Sequence, residues 1–190
     1  MGAMFEKKPY YTYEEFVELE LPEDICMELL DGNLYAMASP TWEHQGILAA
    51  ITSQFYHFLR GKPCKVYPGI SVRLSQKKDT AFIPDLVLVC DRSKLTDREY
   101  NGVPDLIIEI LSPSNSRHDT ITKFNAYLEA RVPEYWIIDG KNRSVNRHRL
   151  KDGEYVVSVF SDEDIVPVEA LPDFGLELAT VFEEAAEGDE

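Results

Sequence analysis

Four side chains in this 190-residue sequence stand in or beside apolar runs, and their types point to one kind of chemistry. Glu109 interrupts Leu106-Ile-Ile-Glu-Ile-Leu111, and Asp85 follows Pro84 at the head of Leu86-Val-Leu-Val-Cys90. Glu28 lies between Met27 and Leu29, while His44 precedes Ile47 and Leu48 by three and four residues, on the core side of a helix. A carboxylate buried without a partner is costly, so Glu109 must be paired, protonated or bound to a cation. Acids without cysteine ligands suit a hard ion, and Mg²⁺ takes oxygen ligands at about 2.0–2.1 Å in octahedral geometry. Neighbouring ligand oxygens on such an ion lie about 3 Å apart. That distance discriminates between two pairs of acids. Asp105 and Glu109 share one strand and stand roughly 13 Å apart at ~3.3 Å per residue. Asp85 and Glu109 come from different strands, and neighbouring strands are only about 4.8 Å apart. The second pair can share an ion, and Asp105 is read as a turn residue or the start of a strand.

Hydrolysis of a phosphodiester also profits from a cation beside the attacking water, which orients it and stabilises the charge developing on phosphorus. Leu111, two residues past Glu109, leaves no lysine on the strand itself, so Lys123 in the following helix is the candidate. Other chemistries fit less well. There is no G-x-S-x-G elbow, no cysteine in an activating context, and no pair of glycines at phosphate-loop spacing. A two-carboxylate glycoside hydrolase needs its acids about 5 to 9.5 Å apart in an open sugar cleft, and a lysine beside them suits it poorly.

The elements that must position these groups follow from pattern. Thr12 with Glu15 is a capping box for a short helix over Tyr13–Leu19. Asp31-Gly32 between Cys26–Leu30 and Asn33–Met37 is a hairpin turn. A helix runs from Thr41 to about Arg60, with Ile47, Leu48, Ile51, Phe55, Phe58 and Leu59 on one stripe. Strands are predicted at Lys65–Tyr67, Ser71–Leu74, Phe82–Cys90 and Asp105–Leu111, the last two so apolar that both faces must be covered. Asp119 is read as the cap of a helix through Ala130, ahead of the strand Tyr135–Asp139 and a hairpin of Ser144–Leu150 with Tyr155–Phe160. The fold expected is one α/β domain with a central mixed sheet flanked by helices and an N-terminal hairpin. Its limits are residues 11–180, after a tag remnant or flexible start at 1–10 and before an acidic tail at 181–190.

The formal net charge is -15, but it is unevenly placed. The last 30 residues hold 11 of the 34 acids and no Lys or Arg, which leaves 23 acids against 19 basic groups before them, net -4. Local basic clusters then keep nucleic acid in play, and Lys77, Lys78, Arg143 and Arg147 are the candidate contacts. Three cysteines without close spacing exclude a disulfide framework or zinc site; they read as small apolar residues in a reducing, cytoplasmic setting. No apolar stretch approaches the ~18 residues of a membrane helix.

Pro84-Asp85, Glu109-Ile-Leu-Ser-Pro-Ser, Lys123 and Val132-Pro-Glu-Tyr-Trp-Ile-Ile-Asp139, in that order, resemble the Uma-two family of restriction-endonuclease-like proteins in the PD-(D/E)XK nuclease superfamily. The hairpin Glu28-Leu-Leu-Asp-Gly-Asn-Leu and the helix start at His44 are similar too, so the resemblance runs from about Tyr11 to about Leu178. It implies a restriction-endonuclease-like fold and Mg²⁺-dependent cleavage of DNA, with Mn²⁺ able to substitute. By position, Asp85 and Glu109 are the metal ligands, Lys123 the catalytic lysine, and Glu28 and His44 supporting residues. Leu111 departs from the superfamily pattern, which has lysine there. Enzymes that cut both strands often pair about a two-fold axis, so a homodimer is expected. The competing expectation is a catalytically inactive module that binds nucleic acid or protein on the same fold.

Overall fold

Two nearly continuous apolar runs, Leu86–Val89 and Leu106–Ile110, are buried at every position, which requires cover on both faces of the sheet that holds them. The computed structural model describes residues 8–22, 25–74, 79–112 and 117–186. Helix α1 (Tyr13–Val17) leads to the hairpin of β1 (Met27–Leu30) and β2 (Asn33–Ala36), then to α2 (Trp42–Phe58). Strands β3 (Lys65–Pro68), β4 (Ser71–Arg73), β5 (Leu86–Val89), β6 (Glu99–Asn101) and β7 (Leu106–Ile110) follow. Helix α3 (Arg117–Glu129) crosses over to β8 (Glu134–Asp139), and β9 (Ser144–Lys151), β10 (Glu154–Ser161), β11 (Ile165–Val168) and β12 (Leu171–Glu177) lead to α4 (Leu178–Ala186).

Six strands form the central sheet in the order β10-β9-β8-β7-β5-β3. It is mixed: β7 and β8 are parallel and joined by α3, and the other neighbours are antiparallel. Parallel neighbours need a crossover of this kind, and it sets α3 on one face. Side chains alternate accordingly. Leu106, Ile108, Ile110 and Trp136 pack with Ile47, Ile51 and Phe55 of α2 and with Val181 and Phe182 of α4. Val87, Ile107 and Tyr135 pack on the opposite face with Ala126 and Tyr127 of α3. Glu109 therefore points to the α3 side by strand parity alone.

The hairpin is fixed by its turn and by one bridge. Asp31 and Gly32 both have positive φ (46° and 75°), the pair that a type I′ turn requires. A side chain at Gly32 would strike the ring of Tyr10. Leu29 exchanges two backbone hydrogen bonds with Ala81, at 3.0 and 2.7 Å, which ties β1 to the segment leading into β5. Asp105, read as the start of a strand, accepts the Cys90 N–H at 2.7 Å and so pins the beginning of β7 to the end of β5.

Several expectations are corrected. Helix α3 begins at Arg117, so Asp119 lies inside it and is not its cap. Val166, Val168, Leu171 and Leu176 of the β11–β12 hairpin are buried, as are Leu178, Val181 and Phe182 of α4. The acidic composition of this stretch hid an apolar helix face. Pro167 and Pro172 masked the strand pattern in the same stretch, because proline reads as a strand breaker away from edges. Tyr135 and Trp136 lie on β8, flanked on both sides by β9 and β7, and are buried, so they offer no sheet edge.

The cysteines also differ from expectation. Lys65 pairs with Val89, so the antiparallel register sets Cys64 opposite Cys90, and the two form a disulfide. Cys26 is a free, exposed thiol. Under denaturing, non-reducing conditions a thiol reagent is expected to titrate Cys26 alone, and all three cysteines after reduction. Reduction should also lower stability by about 3 kcal/mol, the usual gain from closing a loop of this length. Three reactive thiols before reduction would contradict the pairing.

Candidate functional site

Five separate segments deliver the five sequence-predicted side chains to one cleft. The cleft has a volume of about 330 Å³ and its lining includes Glu28, His44, Asp85, Glu109 and Lys123. Glu28 comes from the hairpin, His44 from the first turn of α2, Asp85 and Glu109 from the paired strands β5 and β7, and Lys123 from α3. The register Leu86↔Ile108 sets Asp85 opposite Glu109 one step on. Thr41 caps α2 by accepting the His44 N–H at 3.2 Å, which holds His44 in the first turn.

The contacts inside the cleft are charge-assisted. Glu109 Oε1 accepts from Lys123 Nζ at 3.2 Å and from the Tyr127 hydroxyl at 2.7 Å. Lys123 Nζ also stands 3.0 Å from Glu28 Oε1, which in turn accepts the Ile83 N–H at 2.8 Å. Asp85 is held from two sides: Oδ2 accepts the Ile110 N–H at 2.7 Å, and Oδ1 lies 3.2 Å from His44 Nε2. Two carboxylates therefore contact one ammonium group, and a third, Asp85, lines the same cleft. Tyr127 carried no sequence signal by itself, yet it lies four residues after Lys123 on α3, the spacing that places two side chains on one helix face.

The electrostatics follow from burial and from this excess of acid. Burial raises the Glu109 pKa most; Lys123 lowers it, Asp85 and Glu28 raise it as like charges, and the Tyr127 hydrogen bond lowers it. The balance lies at about 7, against an ordinary value of 4.5. Burial, then the neighbouring Glu109 charge, pushes the Tyr127 hydroxyl well above 10.0, so it remains a donor at any working pH.

Among the described residues no three His, Cys, Asp or Glu side chains stand together at ligand spacing. Mg²⁺ does not require three: it keeps several waters and is commonly bound through one or two carboxylates plus substrate phosphate oxygens. An all-oxygen acid pair in a cleft short of positive charge fits such an ion. It would not suit zinc, which prefers nitrogen and sulfur ligands.

The basic candidates are not equivalent. Lys77 and Lys78 lie outside the described residues. Arg143 sits on a left-handed turn residue (φ 49°), with Nε donating to Asp162 at 2.8 Å and the guanidinium near the ring of Phe182. Arg147 is a correction. Its guanidinium is buried, donates to Glu134 at 2.5 Å and reaches Glu169 at 3.4 Å, so it neutralises a fully buried acid and presents little to a ligand. The strand parity of Arg147, opposite Trp136 in register, places it inside.

Because the folded-state pKa of Glu109 is raised, the native protein binds more protons than the unfolded chain between pH 4.5 and about 7. Stability contributed by this group is therefore full below the lower value and is lost as pH rises through the upper one. Glu109→Gln keeps an acceptor for Lys123 and Tyr127 but cannot ionise. Its stability relative to the wild type is expected to be higher at pH 8 than at pH 5, read by chemical denaturation at both. A difference independent of pH would show that Glu109 ionises normally.

The comparisons with known proteins agree with this architecture. A crystal structure described as "a putative nuclease belonging to DUF820", from Anabaena variabilis, superposes with a TM-score of 0.76 over 92% of this chain and 99% of that one, at 21% identity. An uncharacterized protein of Synechocystis sp. is 22% identical over 166 residues, covering 86% of this chain and 87% of its own. Residues 13–180 match the Uma2 family, described as "Putative restriction endonuclease". With most of its length matched in this way, the chain belongs to the Uma2 family.

Proposed function

We propose that this protein is a metal-dependent endonuclease that hydrolyses DNA phosphodiester bonds at the cleft lined by Asp85, Glu109 and Lys123. The observation that carries the reading is the convergence of two carboxylates from paired strands with a lysine from α3, at 3.2 Å from Glu109. Asp85 and Glu109 would hold Mg²⁺, or Mn²⁺ in its place. Bound there, the ion would lower the pKa of a coordinated water and offset charge on the phosphate.

The chain's own residues prepare that chemistry. Ile110 N–H and His44 fix the two oxygens of Asp85. Tyr127 and Lys123 both engage Oε1 of Glu109, which leaves Oε2 as the less engaged oxygen. Glu28 holds Lys123 within the acid cluster, so the ammonium group stands beside the position where an attacking water and a non-bridging phosphate oxygen would meet. A lysine from α3 can thus act where the strand has Leu111. Cutting a duplex on both strands is most simply done by a two-fold pair of such sites, and a homodimer is part of the proposal.

One observation favours a second reading. Lys123 is buried in two ion pairs, at 3.0 and 3.2 Å, as a purely structural lysine would be. In that reading the fold serves as a binding module for nucleic acid or protein and the site is vestigial.

Calorimetric titration with Mg²⁺ and Mn²⁺, run beside a plasmid-nicking assay, separates the two. The wild type is expected to bind metal and nick; Glu109→Gln should lose both. Lys123→Met should retain metal binding while nicking falls by roughly 10²–10³-fold, the range for loss of one transition-state charge partner. Metal binding without nicking in the wild type would support the binding module. Absence of binding would leave Asp85 and Glu109 with structural roles.

A further inference from the structure

A second cleft opens beside the first. Its volume is about 620 Å³, and His44, Ile110 and Ser112 line both, so the two are continuous across the start of α2. The new cleft has an apolar floor of Ile47, Leu111 and Phe182. At its rim stand Trp42, Lys141 and Arg143. Trp42 is the first residue of α2 and is 54% exposed, unusual for an indole on a helix whose other face is core. Gly140 lets the turn carrying Lys141 and Arg143 approach α2: a Cβ there would lie 2.6 Å from Cδ1 of Ile47.

We propose that this second cleft takes one unstacked nucleotide of the strand being cut, its base on Trp42 and its phosphate between Lys141 and Arg143. The proposal rests on the nuclease reading for the identity of the strand, but not for the existence of the site. An exposed indole next to two cations is the combination that single-stranded nucleic acid recognises, because every base has a face that stacks on an aromatic ring. Charge argues in the same direction. Glu43 and Asp139 share the cleft, and Asp162 already pairs with Arg143, so the local field is close to neutral. A rigid duplex, held chiefly through its phosphates, gains little from such a surface. A splayed base gains the stacking, and both oxygens of Asp139 are held by Asn142, at 3.0 and 2.7 Å. The site therefore assigns the enzyme a preference for DNA that is single-stranded or locally unpaired near the cut.

The chain supplies its own reporter. It has two tryptophans, and Trp136 is fully buried, so Trp42 is the one that a ligand can quench. Oligothymidylate titrated into the full chain in EDTA is expected to quench the fluorescence and to bind more tightly than a duplex of equal length. Trp42→Ala should weaken that binding roughly tenfold, read by anisotropy of a labelled oligonucleotide, and Trp42→Phe should restore most of it. Lys141→Ala should weaken it further and flatten its salt dependence. No quenching, equal binding by Trp42→Ala, or tighter binding of the duplex would overturn the proposal. Plasmid nicking with Mg²⁺ separates the two readings. Nicking without oligothymidylate binding refutes only the nucleotide cleft. Binding without nicking refutes only the nuclease.

Discussion

The site depends on one buried acid. Glu109 sits in the middle of a sheet, on a strand whose other residues are all apolar, and an ion-sized charge there loses most of its hydration. The protein compensates only in part. Lys123 and Tyr127 reach Glu109 from α3, but Glu28 and Asp85 bring two more negative charges to the same cleft. In the proposed reading, a cation that arrives with the substrate would remove the imbalance.

Every major structural device of the chain serves to bring those groups together. The type I′ turn and the Leu29–Ala81 bridge set the hairpin so that Glu28 can accept from Ile83 and hold Lys123. The antiparallel register of β5 and β7 sets Asp85 opposite Glu109. The parallel pairing of β7 with β8 forces a crossover helix, and that helix starts soon after Glu109 and turns Lys123 and Tyr127 inward. This is how a lysine absent from the strand is supplied from elsewhere: the crossover brings α3 over the face to which Glu109 points. The same geometry fixes how far a substitution propagates, since Lys123, Glu28 and Glu109 form one connected network whose members do not act additively.

Much of this was legible before any coordinates, and the reason is physical. Strand spacing is nearly constant, so the choice of Asp85 over Asp105 as partner for Glu109 needed only two distances. Interrupted apolar runs exposed Glu109 and Glu28, because a charge in such a run is costly wherever the strand ends up. What the sequence hid were features set by tertiary context. Arg147 counted as one of a basic cluster, yet strand parity turns it inward to Glu134. Cys64 and Cys90 are 26 residues apart in the chain and become neighbours only through the β3–β5 register. The apolar face of α4 was obscured by its acidic neighbours. Trp42 carried no periodic signal, and only the cleft beside it gives it meaning.

Two buried acids in this protein show how a fully compensated charge differs from one that folding leaves partly uncompensated. Glu134 is fully buried and saturated: Arg147 and the Trp136 indole donate to one oxygen, at 2.5 and 2.8 Å, and the Glu169 N–H donates to the other at 2.8 Å. Removing one of those partners would leave a charge with nothing to oppose it, and the strand would lose stability without any change in chemistry. Among the described residues Glu109 accepts its hydrogen bonds on one oxygen only, and the charges acting on it include two of its own sign. It also opens on a cleft, where Glu134 opens on nothing. Burial alone therefore does not identify a catalytic carboxylate. Burial together with incomplete compensation, facing a space large enough for a phosphate, does so far better, because only a ligand completes the electrostatics that folding has left unfinished.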